Sequence, residues 1–327
     1  SIGSDMIVFP ELAICGYPPE DLLLKPKFIK DNISKLKELT LKCADICAVI
    51  GFVNKSDKGI YNSAAVINNK QIIGIYDKIY LPNYGVFDEK RYFTSGNKLL
   101  IFKSGNFTFG IQICEDVWQA RGPAYELAKI GVDLILVLNA SPYYLEKWKK
   151  RENISKNIIK NKKSAIAYLN MVGGQDELIF DGHSFVMNNK GQVLNRGMAF
   201  EEDIISFDLP SPLSRQARHP LSLRERGNTA QAVGVRVIRI PNFSKKEKTK
   251  IERERIVPLN KTEEVYKALC LGLKDYVRKN SFKTIVFGLS GGIDSALCAV
   301  IAADSLGKEN VTAIFMPSQY TAVQSRE

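Results

Sequence analysis

Residues 288–295 read Gly288-Leu289-Ser290-Gly291-Gly292-Ile293-Asp294-Ser295. They lie between an apolar run, Thr284-Ile285-Val286-Phe287, and a helix-like stretch from Ala296. No other feature constrains the fold as much. Glycines let backbone N–H groups approach an anion, and a helix N-terminus adds partial positive charge, so such a turn is a place for phosphate. The string lacks the Gly-Lys-Ser/Thr ending of the Walker loop and the spacing of the dinucleotide fingerprint. The competing reading is an ordinary glycine-rich strand-to-helix turn. With the strand that begins at Val311, the segment predicts a βαβ unit, hence a parallel sheet with a right-handed crossover. Ligands bind at the carboxyl ends of such strands, where this loop sits.

A chain of 327 residues is long enough for two domains. Residues 1–210 alternate strand-like and helix-like segments. Strands are expected at Met6–Phe9, Cys47–Val53, Ser63–Ile67, Ile72–Tyr76, Phe107–Cys114, Asp133–Leu138, Ala165–Val172, His183–Met187 and Ile204–Asp208. Several are continuous apolar runs, the pattern of strands covered on both faces. Helical periodicity marks Lys27–Cys43, Pro123–Ile130 and Tyr144–Lys160, and Asn188-Asn189-Lys190-Gly191 reads as a hairpin turn. The sum is a layered α/β domain.

Residues 211–240 differ in composition, with six arginines and no lysine. They read as a linker or a surface insertion with little core to contribute, continued by the charged stretch Lys245–Arg255. From residue 259 a second domain begins, where Val265, Leu269, Leu273 and Val277 recur on one helix face. The boundaries are thus 1–210, a linker at 211–258, and 259–327.

A formal charge of +11 invites a nucleic-acid reading, but the charge is spread widely and no recognition motif accompanies it. Attraction for anionic nucleotides over solvated basic faces explains it as well. Six scattered cysteines with no CxxC pair read as free thiols in a reducing compartment. No apolar run is long enough for a membrane span. The expectation is a cytoplasmic protein with neither a nucleic-acid nor a membrane partner.

Three segments of the first domain place polar residues at the ends of apolar strands. They are Phe9-Pro10-Glu11-Leu12, the stretch from Tyr76-Asp77-Lys78 to Asp88-Glu89, and Ile113-Cys114-Glu115-Asp116. A carboxylate, an ammonium and a thiol that converged could do chemistry together. The carboxylate would take the thiol proton, sulfur would attack a carbonyl, and the ammonium would steady the oxyanion. Taken singly, each residue reads more readily as structural.

The three segments resemble the Glu–Lys–Cys triad of the nitrilase (carbon–nitrogen hydrolase) superfamily. The fuller strings Gly16-Tyr17-Pro18-Pro19-Glu20-Asp21, Leu81-Pro82-Asn83-Tyr84-Gly85-Val86-Phe87-Asp88-Glu89 and Cys114-Glu115-Asp116-Val117-Trp118 resemble the glutaminase domain of glutamine-dependent NAD synthetases. Ser290-Gly291-Gly292-Ile293-Asp294-Ser295 resembles the pyrophosphate loop of ATP pyrophosphatases, which those synthetases carry in the same order. The resemblance implies a nitrilase-like αββα layered domain followed by the start of a Rossmann-like parallel α/β domain. It implies Glu11 as general base, Lys78 as oxyanion stabiliser, Cys114 as nucleophile and Glu89 as an orienting glutamate. Tyr84, Ser141 and Lys147 would hold glutamine, although Lys147 also reads as part of a solvated basic face. Gly288 through Ser295 would hold ATP, with Asp294 on Mg²⁺. The implied reaction joins glutamine, ATP and nicotinic acid adenine dinucleotide in a homo-oligomer. Met316-Pro317-Ser318-Gln319-Tyr320-Thr321 resembles the next nucleotide loop, with Ala322 where serine is common. Both chain ends read as cut: family members begin with about 30–40 further residues before the Met6 position, and an α/β domain needs about 100–150 residues. The alternatives are a stand-alone amidase of the nitrilase class and a non-catalytic remnant.

Overall fold

Uninterrupted apolar runs become strands covered on both faces. A computed structural model describes residues 3–209, 234–243, 249 and 256–317. The first sheet has four strands in the order β1 (Met6–Val8), β2 (Cys47–Ser56), β3 (Gly59–Asn68) and β4 (Gln71–Asp77). β1 is parallel to β2, and β2, β3 and β4 form an antiparallel meander.

The second sheet is built from β5 (Lys98–Ser104), β6 (Phe107–Ile113), β7 (Leu134–Asn139) and β8 (Ala165–Asn170). A separate antiparallel hairpin follows, β9 (Val172–Gln175) with β10 (Leu178–Asp181). β11 (Phe185–Met187), β12 (Val193–Arg196) and β13 (Gly234–Ile240) complete the second sheet, in the order β12-β11-β8-β7-β6-β5-β13. Every residue of β7 is buried at the middle of that sheet, as a strand between parallel neighbours β6 and β8 requires.

The sheets lie face to face. Gly74 of β4 marks the contact: a Cβ there would stand 2.8 Å from both Phe102 and Ile238 of the other sheet. Helices cover the outer faces. α1 (Pro26–Lys42) packs Leu36 on Ala48, Ile50, Phe52, Ala65 and Ile67 of the first sheet. The short α2 (Glu115–Trp118) follows β6. α3 (Pro123–Ile130) sets Leu127 against Gly110 of β6, and α4 (Lys147–Ile159) adds Ile158 and Ile159 to the main core. Pro26 and Pro123 open their helices at a position where a missing N–H costs nothing, and left-handed Gly131 closes α3. The result is the helix–sheet–sheet–helix layering that the resemblance implied.

α5 (Lys261–Lys279) starts the second part with a capping box between Asn260 and Glu263. β14 (Ile285–Leu289), α6 (Ile293–Leu306) and β15 (Val311–Phe315) then form the expected parallel βαβ unit. α5 buries only the C-terminal part of the ridge its spacing predicts. Val265 and Leu269 are exposed, whereas Glu264, Ala268 and Val277 are buried, because the helix docks on the β9–β10 hairpin, with Gly272 lying against Ile179.

Three readings of the sequence are corrected. Residues 204–208 form no strand, and Ile204 is 80% exposed. The hairpin turn at Asn188–Gly191 delivers its partner strand at once, as β12. Secondly, β5, β9 and β10 were missed. Thirdly, the stretch 211–240 is not all surface insertion. Residues 234–240 pair along their whole length with β5, and Ile240 is buried. The arginine-rich residues 211–233, most of the charged stretch 245–255 and the loop beyond Pro317 lie outside the described residues. Ile240→Ala should cost about 2–5 kcal/mol, the range for truncating a buried isoleucine. An unchanged urea midpoint would mean that β13 contributes nothing to the sheet.

Candidate active site

Strands from both sheets end at one edge, and the polar residues singled out in the sequence follow those ends. Glu11 comes shortly after β1, Lys78 directly after β4, Cys114 directly after β6, and Ala140 and Ser141 after β7. Glu11, Lys78 and Glu89 are buried together. The Lys78 ammonium donates to Glu11 Oε1 and to Glu89 Oε1, each at 2.7 Å. Asn62 Nδ2 donates to Glu11 Oε1 and the Ala140 N–H to Glu11 Oε2, both at 2.8 Å. Tyr17 O–H donates to Glu89 Oε1 at 2.9 Å.

Cys114 sits on a sharp turn with φ 41° and ψ −97°, a conformation that costs a non-glycine residue about 1–3 kcal/mol. Its N–H is fixed by Leu138 O at 2.9 Å. Burial, and after it the Glu11 charge, pushes the thiol well above its ordinary value, while Lys78 pulls the other way. The resting sulfur is therefore a neutral thiol. Burial opposes the charge on Lys78 as well, yet Glu11 and Glu89 outweigh it and hold the ammonium protonated. Burial pushes Glu89 up, against the pull of Lys78. Of three close ionisable groups, one ammonium faces two carboxyls, and Glu89 is the one driven towards its neutral form.

The expected glutamine-holding residues ring this cluster. Tyr84 is 58% exposed and donates from its hydroxyl to Glu115 Oε2 at 2.8 Å. Ser141 is buried, its N–H on Asn170 Oδ1 and its carbonyl accepting from Arg151 at 2.8 Å. Lys147 is not on a solvated face: it is buried, donates to Pro142 O at 2.6 Å and lies 5.0 Å from the Tyr144 ring centre. Burial, followed by Arg151, lowers Lys147 to about 8.

Sequence reasoning missed two supports. Arg151 is fully buried in a fork with both Asp181 oxygens at 2.8 Å and anchors the Ser141 segment. Asp116 takes hydrogen bonds from Tyr76 O–H and from the Ile79, Tyr80 and Ile113 N–H groups. It thereby ties the exit of β4, which carries Lys78, to the Cys114 turn. Its place two residues after Cys114 was the available signal.

In the second part, residues 288–295 form the strand-to-helix turn that their composition predicts. Gly291 has φ +82° and is the position where the backbone requires glycine. Ser295 Oγ donates to Gly292 O at 2.9 Å and stands 3.1 Å from Ser290 Oγ, closing the loop on itself. The N-terminus of α6 is exposed there, with Asp294 in its first turn.

The carbon-nitrogen hydrolase family model matches residues 1–219. The chain belongs to this family. The NAD synthase family model matches residues 265–327. Among similar proteins, a glutamine-dependent NAD(+) synthetase of Thermotoga maritima is 45% identical over 99% of this chain and 56% of its own length. One from Aquifex aeolicus is 41% identical over 99% of this chain and 57% of its own. A solved structure of the Acinetobacter baumannii glutamine-dependent NAD+ synthetase, in complex with adenosine diphosphate, superposes with a TM-score of 0.82 at 38% identity. It covers 99% of this chain and 55% of that one. The chain thus spans about half the length of these relatives. A Helicobacter pylori carbon-nitrogen hydrolase, 22% identical with a TM-score of 0.53, shares the fold over 61% of this chain and 75% of its own. The alignments that cover 99% of the chain run through residues 211–258, the stretch read from the sequence as a linker.

Glu11 owes its position to a glycine on the neighbouring strand. A Cβ on Gly51 would stand 2.2 Å from Pro10 O and 2.5 Å from Leu12 N, so the turn carrying Glu11 rests directly on β2. Gly51→Ala should cost about 1–3 kcal/mol, the usual range for overpacking. Urea unfolding checks it, and an unchanged midpoint would remove Gly51 as the seat of that turn.

Proposed function

We propose that this chain hydrolyses the side-chain amide of glutamine and passes ammonia to an ATP-dependent amidation of nicotinic acid adenine dinucleotide, giving NAD. The observation that carries the reading is the Lys78 ammonium, buried between Glu11 and Glu89 beside the cysteine on its strained turn. Glu11 takes the Cys114 proton as sulfur attacks the amide carbon, so the buried thiol is ionised only in the act of attack. Lys78 donates to the oxygen on which charge develops. Glu11 returns its proton to the leaving nitrogen, the C–N bond breaks, and ammonia departs from a thioester. Water, deprotonated by Glu11, attacks that thioester. The C–S bond breaks, the proton returns to sulfur and glutamate leaves. Glu89 holds the Lys78 ammonium in place. Tyr84, Ser141 and Lys147 hold the zwitterionic head of glutamine, for which a buried ammonium at Lys147 is a fitting carboxylate partner.

Gly288, Leu289, Ser290, Gly291, Gly292, Ile293, Asp294 and Ser295 hold ATP, supported by their place at the α6 N-terminus. The dinucleotide carboxylate attacks the α-phosphorus of ATP and pyrophosphate leaves; ammonia then attacks the acyl-adenylate carbon, loses a proton, and AMP leaves. Asp294 is exposed beside that loop and suits Mg²⁺, which takes one or two carboxylates alongside phosphate oxygens. Bound there, the ion would neutralise phosphate charge. Alignments that span both parts favour this two-part enzyme over a stand-alone amidase, and the assembled cluster favours it over a non-catalytic remnant. Free ammonia is mostly ammonium near neutral pH, which favours a protected route within a homo-oligomer. Six free cysteines fit a reducing cytoplasm. No helix among the described residues is long and apolar enough to cross a membrane.

Cys114→Ala should lower ammonia release from glutamine by at least about 1,000-fold, as loss of a nucleophile does, and leave nucleotide binding intact. Turnover that survives would remove Cys114 from the mechanism. Gly292→Val should weaken ATP binding by crowding the phosphate approach, with glutamine hydrolysis retained; unchanged nucleotide affinity would sink the loop assignment.

The depressed Lys147 supplies a pH test. As pH rises through about 8, Lys147 loses its proton and the glutamine carboxylate loses its partner. KM for glutamine should therefore climb by up to about tenfold for each pH unit above that value. Lys147→Met should bind weakly throughout and show no such climb. A wild-type KM that stays flat from pH 7 to 9 would remove Lys147 from the head-group site.

A further inference from the structure

α4 begins without a cap of its own. Glu146, its N-cap residue, has the left-handed φ of 63° and its side chain caps none of the first backbone N–H groups, pairing with the ammonium groups of Lys149 and, from α5, Lys261. Its N–H is instead bound by a residue of the following domain. Glu264 Oε1, in the first turn of α5, accepts it at 2.8 Å. Glu264 is only 1% exposed, unusual for a carboxylate on a helix whose other acidic first-turn residue, Glu263, serves as an ordinary cap. One buried carboxylate thus holds the start of α4 and sits at the positive end of its own helix.

The residue after Glu146 is Lys147. The segment between them and the base is short and tied at each step. Ala140 N–H holds Glu11, the Ser141 carbonyl takes Arg151, the Pro142 carbonyl takes Lys147, and Tyr143 N–H donates to Ile179 O of β10. A second tie from α5 reaches the same segment by another path. Asp275 accepts from Gly174 N–H at 2.7 Å and Lys279 donates to Gly174 O at 2.6 Å, on the hairpin whose β10 carries Asp181, the partner of Arg151.

We infer that Glu264 is a positioning residue for the glutamine site: from the helix that opens the second domain, it fixes the α4 start and so the place of Lys147. The inference rests on the glutamine-hydrolysing reading for its kinetic consequence, though not for its structural one. Ala140 and Ser141 are held by Glu11, Asn170 and Arg151 independently of Glu264. Losing Glu264 therefore frees the Lys147 end of the segment and spares the end that carries Ser141 and holds the base. The signature is a change in KM with little change in kcat.

The test compares Glu264→Ala, Glu264→Gln and Lys267→Ala in the full chain. Lys267 pairs with Glu201 across the same docking surface but does not touch the 140–147 segment. Glu264→Ala should raise KM for glutamine about tenfold with kcat within about threefold, the pattern of lost ground-state binding. Backbone hydrogen exchange over residues 143–150 should quicken in the same variant. Glu264→Gln keeps an oxygen to accept the Glu146 N–H and should restore both, and Lys267→Ala should alter neither. Where Glu264→Ala fails to fold, Glu264→Asp, which draws the carboxylate back by one methylene, carries the same expectation. Unchanged KM and unchanged exchange in the Ala or Asp variant would overturn the inference. So would equal effects in Lys267→Ala, since general loosening of the docked helix would then suffice. A wild-type chain that releases no ammonia from glutamine would refute the proposed function alone; exchange over 143–150 would still decide the role of Glu264.

Discussion

The Lys78 ammonium has no water to turn to. Its side chain is wholly buried, and an unpaired charge there would cost several kcal/mol in lost solvation. Glu11 and Glu89 make the position tenable, and removing either partner of such a buried pair costs about 3–5 kcal/mol. Two carboxylates for one ammonium leave a surplus negative charge. Burial relieves it by driving Glu89 towards its neutral form. Its Oε2 has no hydrogen-bond partner, a lighter burden for a neutral carboxyl than for a carboxylate. Glu11, by contrast, has both oxygens engaged, by three donors. The asymmetry between the two glutamates follows from their partners.

That cluster exists because two sheets present their strand ends at one edge. Strands hold their ends more firmly than loops do, and each reactive side chain lies within a few residues of a strand: β1 for Glu11, β4 for Lys78, β6 for Cys114 and β7 for Ser141. The close approach at Gly51 brings the Glu11 turn onto β2, and Gly74 lets the sheets meet. The packing of the layers therefore sets the geometry of the chemistry. It also explains why Tyr84, on the long connection after β4, is the exposed member of the set.

What could be read in the sequence was what local pattern determines. Apolar runs announced β2, β6, β7 and β8, and the glycine string announced the turn into α6. Strand-end polar residues stood out against their apolar neighbours, which is how Glu11, Lys78 and Cys114 became visible. Lys147 and Arg151 did not stand out, because Lys147, Lys149, Lys150 and Arg151 form one basic run. Only the partners distinguish them: Arg151 meets Asp181 thirty residues away, and Lys147 meets Pro142 O across the loop. β13 was hidden by its arginines. Arg236 and Arg239 are exposed while Ile240 is buried, so an arginine-rich composition coexists with a paired edge strand. α5 misled for a related reason. Its apolar ridge is real, but the face that docks carries Glu264 and Ala268, and the reason lies on the β9–β10 hairpin.

The Cys114 turn shows how strain is held where it is useful. A left-handed φ at cysteine opposes the turn by about 1–3 kcal/mol. Against it stand the Cys114 N–H on Leu138 O and the Asp116 carboxylate, which gathers four donors from β4, its exit and the end of β6. Burial raises Asp116 to about 6, so the group is still ionised at neutral pH and accepts as a charged partner. Hydrogen bonds to a charged acceptor are stronger than those between neutral groups, and these four hold the strained turn to the exit of β4. The same carboxylate binds the backbone on both sides of the site, at Ile79 and Tyr80 next to Lys78 and at Ile113 next to Cys114. The ammonium and the thiol are therefore set relative to each other by one buried side chain, which takes no part in the proposed bond-making.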